Sequence, residues 1–366
     1  MTLGKKGQPS LRIYVQLIVF LALFTKKPMN SVVAHAISSS TRRVASASTN
    51  VIVREVTLPC GDGITIAGQL YTSANNNSLK TKEQPHRVLC LHGWLDNCQS
   101  FSRLAPHLVE HYSSSAPRDM ELVAIDFPGH GKSSHKPVDG PQVVLSEMIY
   151  YVAEAVRQLE WTQETEKFSL IGHSMGASIA SLYAASFPEQ IRSLVLLDGA
   201  GPLSRPARDI AKHVRQHVLR RQTVSNKPPR VYPSIEQAIE TRCQTARNFP
   251  GNQWLSTEAA RDMVERATIV EESGGVRFVH DPRMQWPSVQ YFTDEQTISV
   301  FKDIQCATAL LLAKDGWPFP DDQLKQVLNV LLPTKFEKLP GSHHFHADPD
   351  SYQNVGEEIV TFLLEN

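Results

Sequence analysis

Gly172-His173-Ser174-Met175-Gly176 sets a serine between two glycines, directly after the apolar run 168–171 and directly before the helical period 175–187. A serine hydroxyl is a weak nucleophile at neutral pH. Chemistry at Ser174 therefore needs a base beside it and an acid to orient that base. Strand, sharp turn and helix in this order make a nucleophile elbow, in which glycines flank the serine because the turn is strained and tightly packed. The elbow lifts Ser174 to a helix N-terminus, where the helix dipole favours developing negative charge.

The base must be a histidine late in the chain, because an elbow of this kind is followed in sequence by the acid and then the histidine. Gly341-Ser342-His343-His344-Phe345-His346 supplies three. His343, two residues after the glycine, is the expected base, with His344 the alternate. The same HHxH cluster has a metal-ligand look, but only Asp348 lies near it in sequence as a further donor, so no metal is expected. Two aspartates end apolar runs and compete for the role of acid: Asp315 in LLLAKDG and Asp198 in LVLLDG. Asp315 is the expected partner, with Asp198 either the alternate or a structural acceptor of loop amides. His92-Gly93-Trp94, after the run VLCL, places the Trp94 backbone N–H where it can pair with that of Met175 as an oxyanion hole. Losing one such donor typically costs about 10²–10³ in rate. PGHGKSS contains GKS, but Asp126 stands where the first glycine of a phosphate loop is required.

These residues need a frame. Expected strands cover 51–58, 64–71, 87–91, 122–126, 168–171, 194–198, 307–313 and 335–338, and the central ones are continuously apolar, as strands buried on both faces of a parallel sheet must be. Helical periods at 101–111, 146–159, 175–187 and 352–364 alternate with them. The expectation is an α/β architecture: a mostly parallel eight-stranded sheet with helices on both faces and motifs at the carboxyl ends of the strands. Residues 203–303 break the alternation with helical periods near 207–221, 235–246 and 257–272, separated by proline-rich joints. They read as a helical cap inserted between core segments 51–202 and 304–366.

Composition excludes some classes. Lys+Arg and Asp+Glu are equal at 37 each, which gives no reason to expect nucleic-acid binding. The cysteines are odd in number and scattered, implying no disulfide framework. The first 50 residues stand apart as a leader: no acid precedes Glu55, eight Lys and Arg residues do, and residues 13–24 form an apolar run. That run is short of the roughly 20 residues needed to span a bilayer. A mitochondrial transit peptide is the favoured reading. A cytoplasmic protein with an inert extension is one alternative. Another is a secretory or membrane-anchored one, with Ala34-His35-Ala36 as a small-x-small cleavage site, although Lys26-Lys27 argues against it.

Taken together, GHSMG, HGWLDN, DFPGHGKSS, HDPR and GSHHFH make the chain from about Val51 onward resemble the serine hydrolase-like proteins, the kraken-like group of the α/β-hydrolase superfamily. That resemblance implies an α/β-hydrolase fold, a Ser174–Asp315–His343 triad, a Trp94/Met175 oxyanion hole and no cofactor. His280-Asp281-Pro282-Arg283 looks like a family feature without an evident role. Serine at the nucleophile position argues against the relatives that attack with a carboxylate. The expected activity is cleavage of a carboxylic ester or related acyl bond through an acyl-enzyme on Ser174. Trp254, Phe278, Trp286, Tyr291 and Phe292 in the cap, with Trp94 and Trp317, suggest a partly apolar small-molecule substrate. The alternatives are a non-catalytic ligand-binding relative and a carbon–carbon hydrolase or lyase.

Overall fold

The computed structural model describes residues 37–43, 50–74, 83–137, 144–161, 166–224, 228–289 and 291–366. The apolar run, the cleavage site and the leader's lysines lie outside them. Among the described residues, no helix is long and apolar enough to cross a membrane.

The strands are β1 (Ile37–Arg43), β2 (Val51–Pro59), β3 (Thr65–Ser73), β4 (His86–Leu91), β5 (Met120–Ile125), β6 (Phe168–His173), β7 (Ile191–Leu197), β8 (Val231–Tyr232), β9 (Thr268–Val270), β10 (Val276–Phe278), β11 (Ala307–Asp315) and β12 (Lys335–Ser342). The main sheet runs in the order β1-β2-β3-β5-β4-β6-β7-β11-β12. From β5 to β12 every neighbouring pair is parallel, and β1, β2 and β3 add antiparallel pairs at one edge. All eight expected strands are present. The ninth, β1, comes from the segment assigned to the leader, so the chain enters the sheet at Ile37 and not at Val51. Its serines and arginines carry no apolar alternation, which is why the sequence hides it.

The helices are α1 (Leu104–Ser115), α2 (Leu145–Gln158), α3 (Met175–Ser186), α4 (Ile210–Val224), α5 (Ile235–Ala246), α6 (Thr257–Ala267), α7 (Asp294–Asp303), α8 (Asp321–Leu331) and α9 (Tyr352–Glu365). Successive strand residues face opposite sides of the sheet, and the core divides accordingly. Leu89, Val123, Leu170, Leu196 and Leu310 pack with Val152, Ile179 and Phe301 on one face. Val88, Leu122, Ile171, Val195 and Leu311 pack with Leu108, Ile359 and Phe362 on the other.

The inserted region holds α4, α5 and α6 at the expected helical periods, but also the unexpected helix α7 and a three-stranded sheet in the order β8-β10-β9. The third helical period stops at Ala267. Thr268-Ile269-Val270 then turns extended, as β-branched residues favour. Ser234 and Ser256 cap α5 and α6 by accepting from the N–H groups of Gln237 and Ala259. A small apolar core unites α5 and α6 through Ile239, Ala260 and Val264.

The cap is fastened to the main sheet by charge. Arg266, on α6, donates to Asp126 at 2.8 Å and to Glu55 at 2.9 Å, with Asp126 fully buried. Asp126 also accepts from the N–H groups of Cys98 and Lys132. Removing one partner of a buried pair leaves an uncompensated charge and costs about 3–5 kcal/mol. Arg266→Met is therefore expected to lower unfolding stability by about that amount in urea titration; a loss below about 1 kcal/mol would mean the pair is solvated.

Candidate active site

β6 delivers Ser174 to the carboxyl end of the sheet, and α3 leaves at once. Ser174 takes φ 53° and ψ −113°, a conformation that is costly for a side chain with Cβ and persists only where packing imposes it. The imposing contacts are visible at the flanking glycines. A Cβ on Gly176 would lie 2.0 Å from the Leu91 carbonyl oxygen, and one on Gly172 would lie 2.4 Å from that of Gly176. Met175 is the first residue of α3, so its N–H has no intrahelical acceptor. The Ser174 side chain makes no capping bond to α3, which leaves it half-buried and uncommitted to the helix.

His343 follows β12 and stands over the same strand end. Its carbonyl accepts from Nε2 of His173, the residue before Ser174, at 2.8 Å, and the two rings lie 4.6 Å apart. Nδ1 of His343 meets Oδ2 of Asp198 at 2.5 Å. The expected Asp315 does not make this contact. It ends β11 beyond a register shift and its side chain is exposed, whereas Asp198 is 1% exposed. Asp198 also accepts from the N–H groups of Ala313 and Trp317, on and just beyond β11. With His343 these bonds occupy three of its roughly four lone-pair sites, and its backbone takes φ 42°. A Cβ on Gly316 would be 2.3 Å from its carboxylate, so the Asp-Gly at the end of β11 serves as a seat for Asp198. The same Asp198 side chain thus both accepts loop amides and meets His343 Nδ1.

His344, the alternate base, points elsewhere. Its Nε2 bonds Oδ2 of buried Asp96 at 3.0 Å. Asp96 lies in the HGWLDN run, where the sequence gives no signal of this contact. It also accepts from Arg242 of α5 at 2.6 Å, and His173 Nδ1 stands 3.7 Å from it. Burial works to raise the Asp96 pKa, but His344, Arg242 and His173 together hold it well below the usual carboxylate range. Burial lowers the pKa of His173, His344 and His346, against the pull of Asp96. One donor atom each from Asp96, His173 and His344 lies within 4.8 Å of the others, the set among the described residues able to hold a metal ion. The Arg242 guanidinium already on Asp96 opposes a second cation there, and the HHxH cluster does not converge on Asp348.

The segment carrying Trp94 is gripped by the cap at several points. The Trp94 indole N–H donates to the Met284 carbonyl at 2.9 Å, Asn97 Nδ2 to the Met263 carbonyl at 2.8 Å, and Asp96 receives Arg242. The HDPR segment now has a role. Asp281 N–H donates to the Gly129 carbonyl, and Arg283 reaches the carbonyls of Lys136 and Pro137 while pairing with Asp281. It docks the cap onto the loop after β5. The cap aromatics divide. Trp286 and Tyr291 pack on His217 and His213 of α4, and Phe278 packs on Tyr232. The Trp254 backbone N–H donates to Ser342 Oγ at 2.8 Å, and the Trp317 ring is 6.4 Å from that of His343.

The family model described as the alpha/beta hydrolase fold matches residues 86–348. A serine hydrolase-like protein of Dictyostelium discoideum is 30% identical, covering 85% of this chain and 82% of its own length. One from Danio rerio is 35% identical over 75% of this chain and 81% of its own. Among solved structures, a hypothetical protein from Pseudomonas aeruginosa is 31% identical with a TM-score of 0.71, covering 85% of this chain and 99% of its own.

Proposed function

Because this chain belongs to the serine hydrolase-like family of the α/β-hydrolase superfamily, we propose that it cleaves carboxylic esters or related acyl bonds through an acyl-enzyme on Ser174. The observation that carries the reading is the 2.5 Å Asp198–His343 contact, set beside a serine in a strained elbow. A binding pocket alone needs neither the strain nor the pair.

In this reading His343 takes the Ser174 proton as Oγ bonds to the acyl carbon. Negative charge moves to the carbonyl oxygen, where the N–H groups of Trp94 and Met175 receive it. The tetrahedral species collapses, the carbon–oxygen bond to the alcohol breaks, and the leaving oxygen takes the proton from His343. Water then repeats the sequence against the acyl-enzyme and frees Ser174. Asp198 fixes the His343 tautomer and stabilises the imidazolium formed in each step. The Trp317 ring beside His343 favours an acyl or alcohol group with apolar surface.

The test is labelling by a fluorophosphonate probe, comparing wild type with Ser174→Ala and His343→Ala. Labelling that disappears in the first and falls at least about 10³-fold in rate in the second supports the reading. A folded wild type that stays unlabelled would favour a ligand-binding relative instead.

A further inference from the structure

A second concave site lies at the opposite end of the sheet from Ser174. Four neighbouring strands each bring one cation to their amino-terminal ends: Arg118 ahead of β5, Arg87 in β4, Lys167 ahead of β6 and Arg192 in β7. They line a cleft of about 640 Å³ that Cys306, ahead of β11, helps to close. Two carboxylates stand near them: Glu166, 3.1 Å from Arg87, and Glu121 of β5, which pairs across the strands with Arg87. Among the described residues, Arg118, Lys167 and Arg192 have no carboxylate within ion-pair distance.

The surroundings offset this charge only beside Arg87. Burial and the neighbouring Arg118 both disfavour the charged form of Arg192. His86 lines the cleft as a neutral group. Its ring nitrogens are 2.7 Å from Tyr112 Oη and 2.8 Å from Ser169 Oγ, and burial, Arg192 and Arg118 push its pKa down to about 3. Nε of Arg87 and Nε of Arg192 are buried without an acceptor among the described residues. Leaving such donors unmet costs about 1–3 kcal/mol each, and two guanidinium groups held together repel. In a chain whose formal charges cancel at 37 against 37, this is a local excess of positive charge that Glu166 and Glu121, both beside Arg87, balance only in part.

We propose that this cleft is a binding site for a phosphate group. A phosphate presents several oxygens and a double charge in a small volume, which suits guanidinium forks converging from adjacent strands. It also supplies acceptors on the side where the arginines lack them. The site lies at the amino ends of the strands, so occupancy adds to the chemistry at Ser174 without obstructing it, and the inference stands independently of the proposed activity.

Isothermal titration calorimetry of the full chain with inorganic phosphate tests it, with ionic strength held constant by chloride. The expected result is one saturable site. The Arg118→Gln/Arg192→Gln double variant should weaken it at least about tenfold, the loss of charge-assisted hydrogen bonds, while thermal melting stays cooperative. Glycerol 3-phosphate distinguishes the source: tighter binding than inorganic phosphate indicates a phosphate ester as ligand, and equal binding the free ion. Should the double variant not fold, Lys167→Gln, whose side chain is exposed, replaces it with a smaller expected loss. No saturable heat beyond the chloride control, or variants that bind as tightly as wild type, would overturn the proposal.

Discussion

Asp198→Asn is expected to lower kcat for ester hydrolysis by about 10³–10⁴-fold, while Asp315→Asn stays within about twofold of wild type. The first change keeps the shape of the side chain but offers an amide where His343 Nδ1–H requires an acceptor, so the ring is released or held in the wrong tautomer. The second alters an exposed carboxylate that touches nothing of the base. Steady-state hydrolysis of a p-nitrophenyl ester by both variants checks this. Thermal melting should accompany it, because Asp198 also accepts from Ala313 and Trp317, and part of any loss could come through the fold. Equal losses in the two variants, or a larger one in Asp315→Asn, would remove Asp198 from the catalytic set.

The other large effect is steric. Gly176→Ala puts a methyl group 2.0 Å from the Leu91 carbonyl oxygen and 2.8 Å from that of His92, both backbone atoms with no rotamer to yield. Overpacking of this kind costs about 1–3 kcal/mol or more. Relief requires α3 to move away from β4, which carries Met175 away from Trp94. A displacement of about 1 Å is enough to lose about 10²-fold in rate. We expect turnover to fall at least that far together with the melting temperature. Gly63→Ala, which meets no atom within 4 Å, should cost only the strain of its positive φ and leave turnover intact. An active, stable Gly176→Ala would mean that the elbow is looser than these distances imply.

Much of this was legible in the sequence because it is local. GHSMG between an apolar run and a helical period announces the elbow, and continuous apolarity announces buried parallel strands. The histidine expected from its spacing to Gly341, His343, is one that meets an aspartate. Which aspartate it meets was not legible, since LVLLDG and LLLAKDG end in the same two residues. The choice between them is made by the register of β11 against β7 and β12, and by which aspartate finds amide donors beyond the neighbouring strand end. Asp96 and Arg242 are 146 positions apart, and Asp126 and Arg266 are 140 apart. No periodicity reaches so far. β8, β9 and β10 are too short to show a period of two.

The grip of the cap on residues 94–97 has a consequence for how substrate must arrive. Trp94, Asp96 and Asn97 are tethered to Met284, Arg242 and Met263, which stand on separate pieces of the cap. Lifting the cap as one body strips all three tethers from the loop that carries a proposed oxyanion donor, and slackens the support under His344 at the same stroke. Opening and competence thus exclude each other, as in an interlock whose door switch cuts the current. A bulky acyl chain that props the cap ajar would bind in a disarmed site, and chain length would be read in kcat as well as in KM.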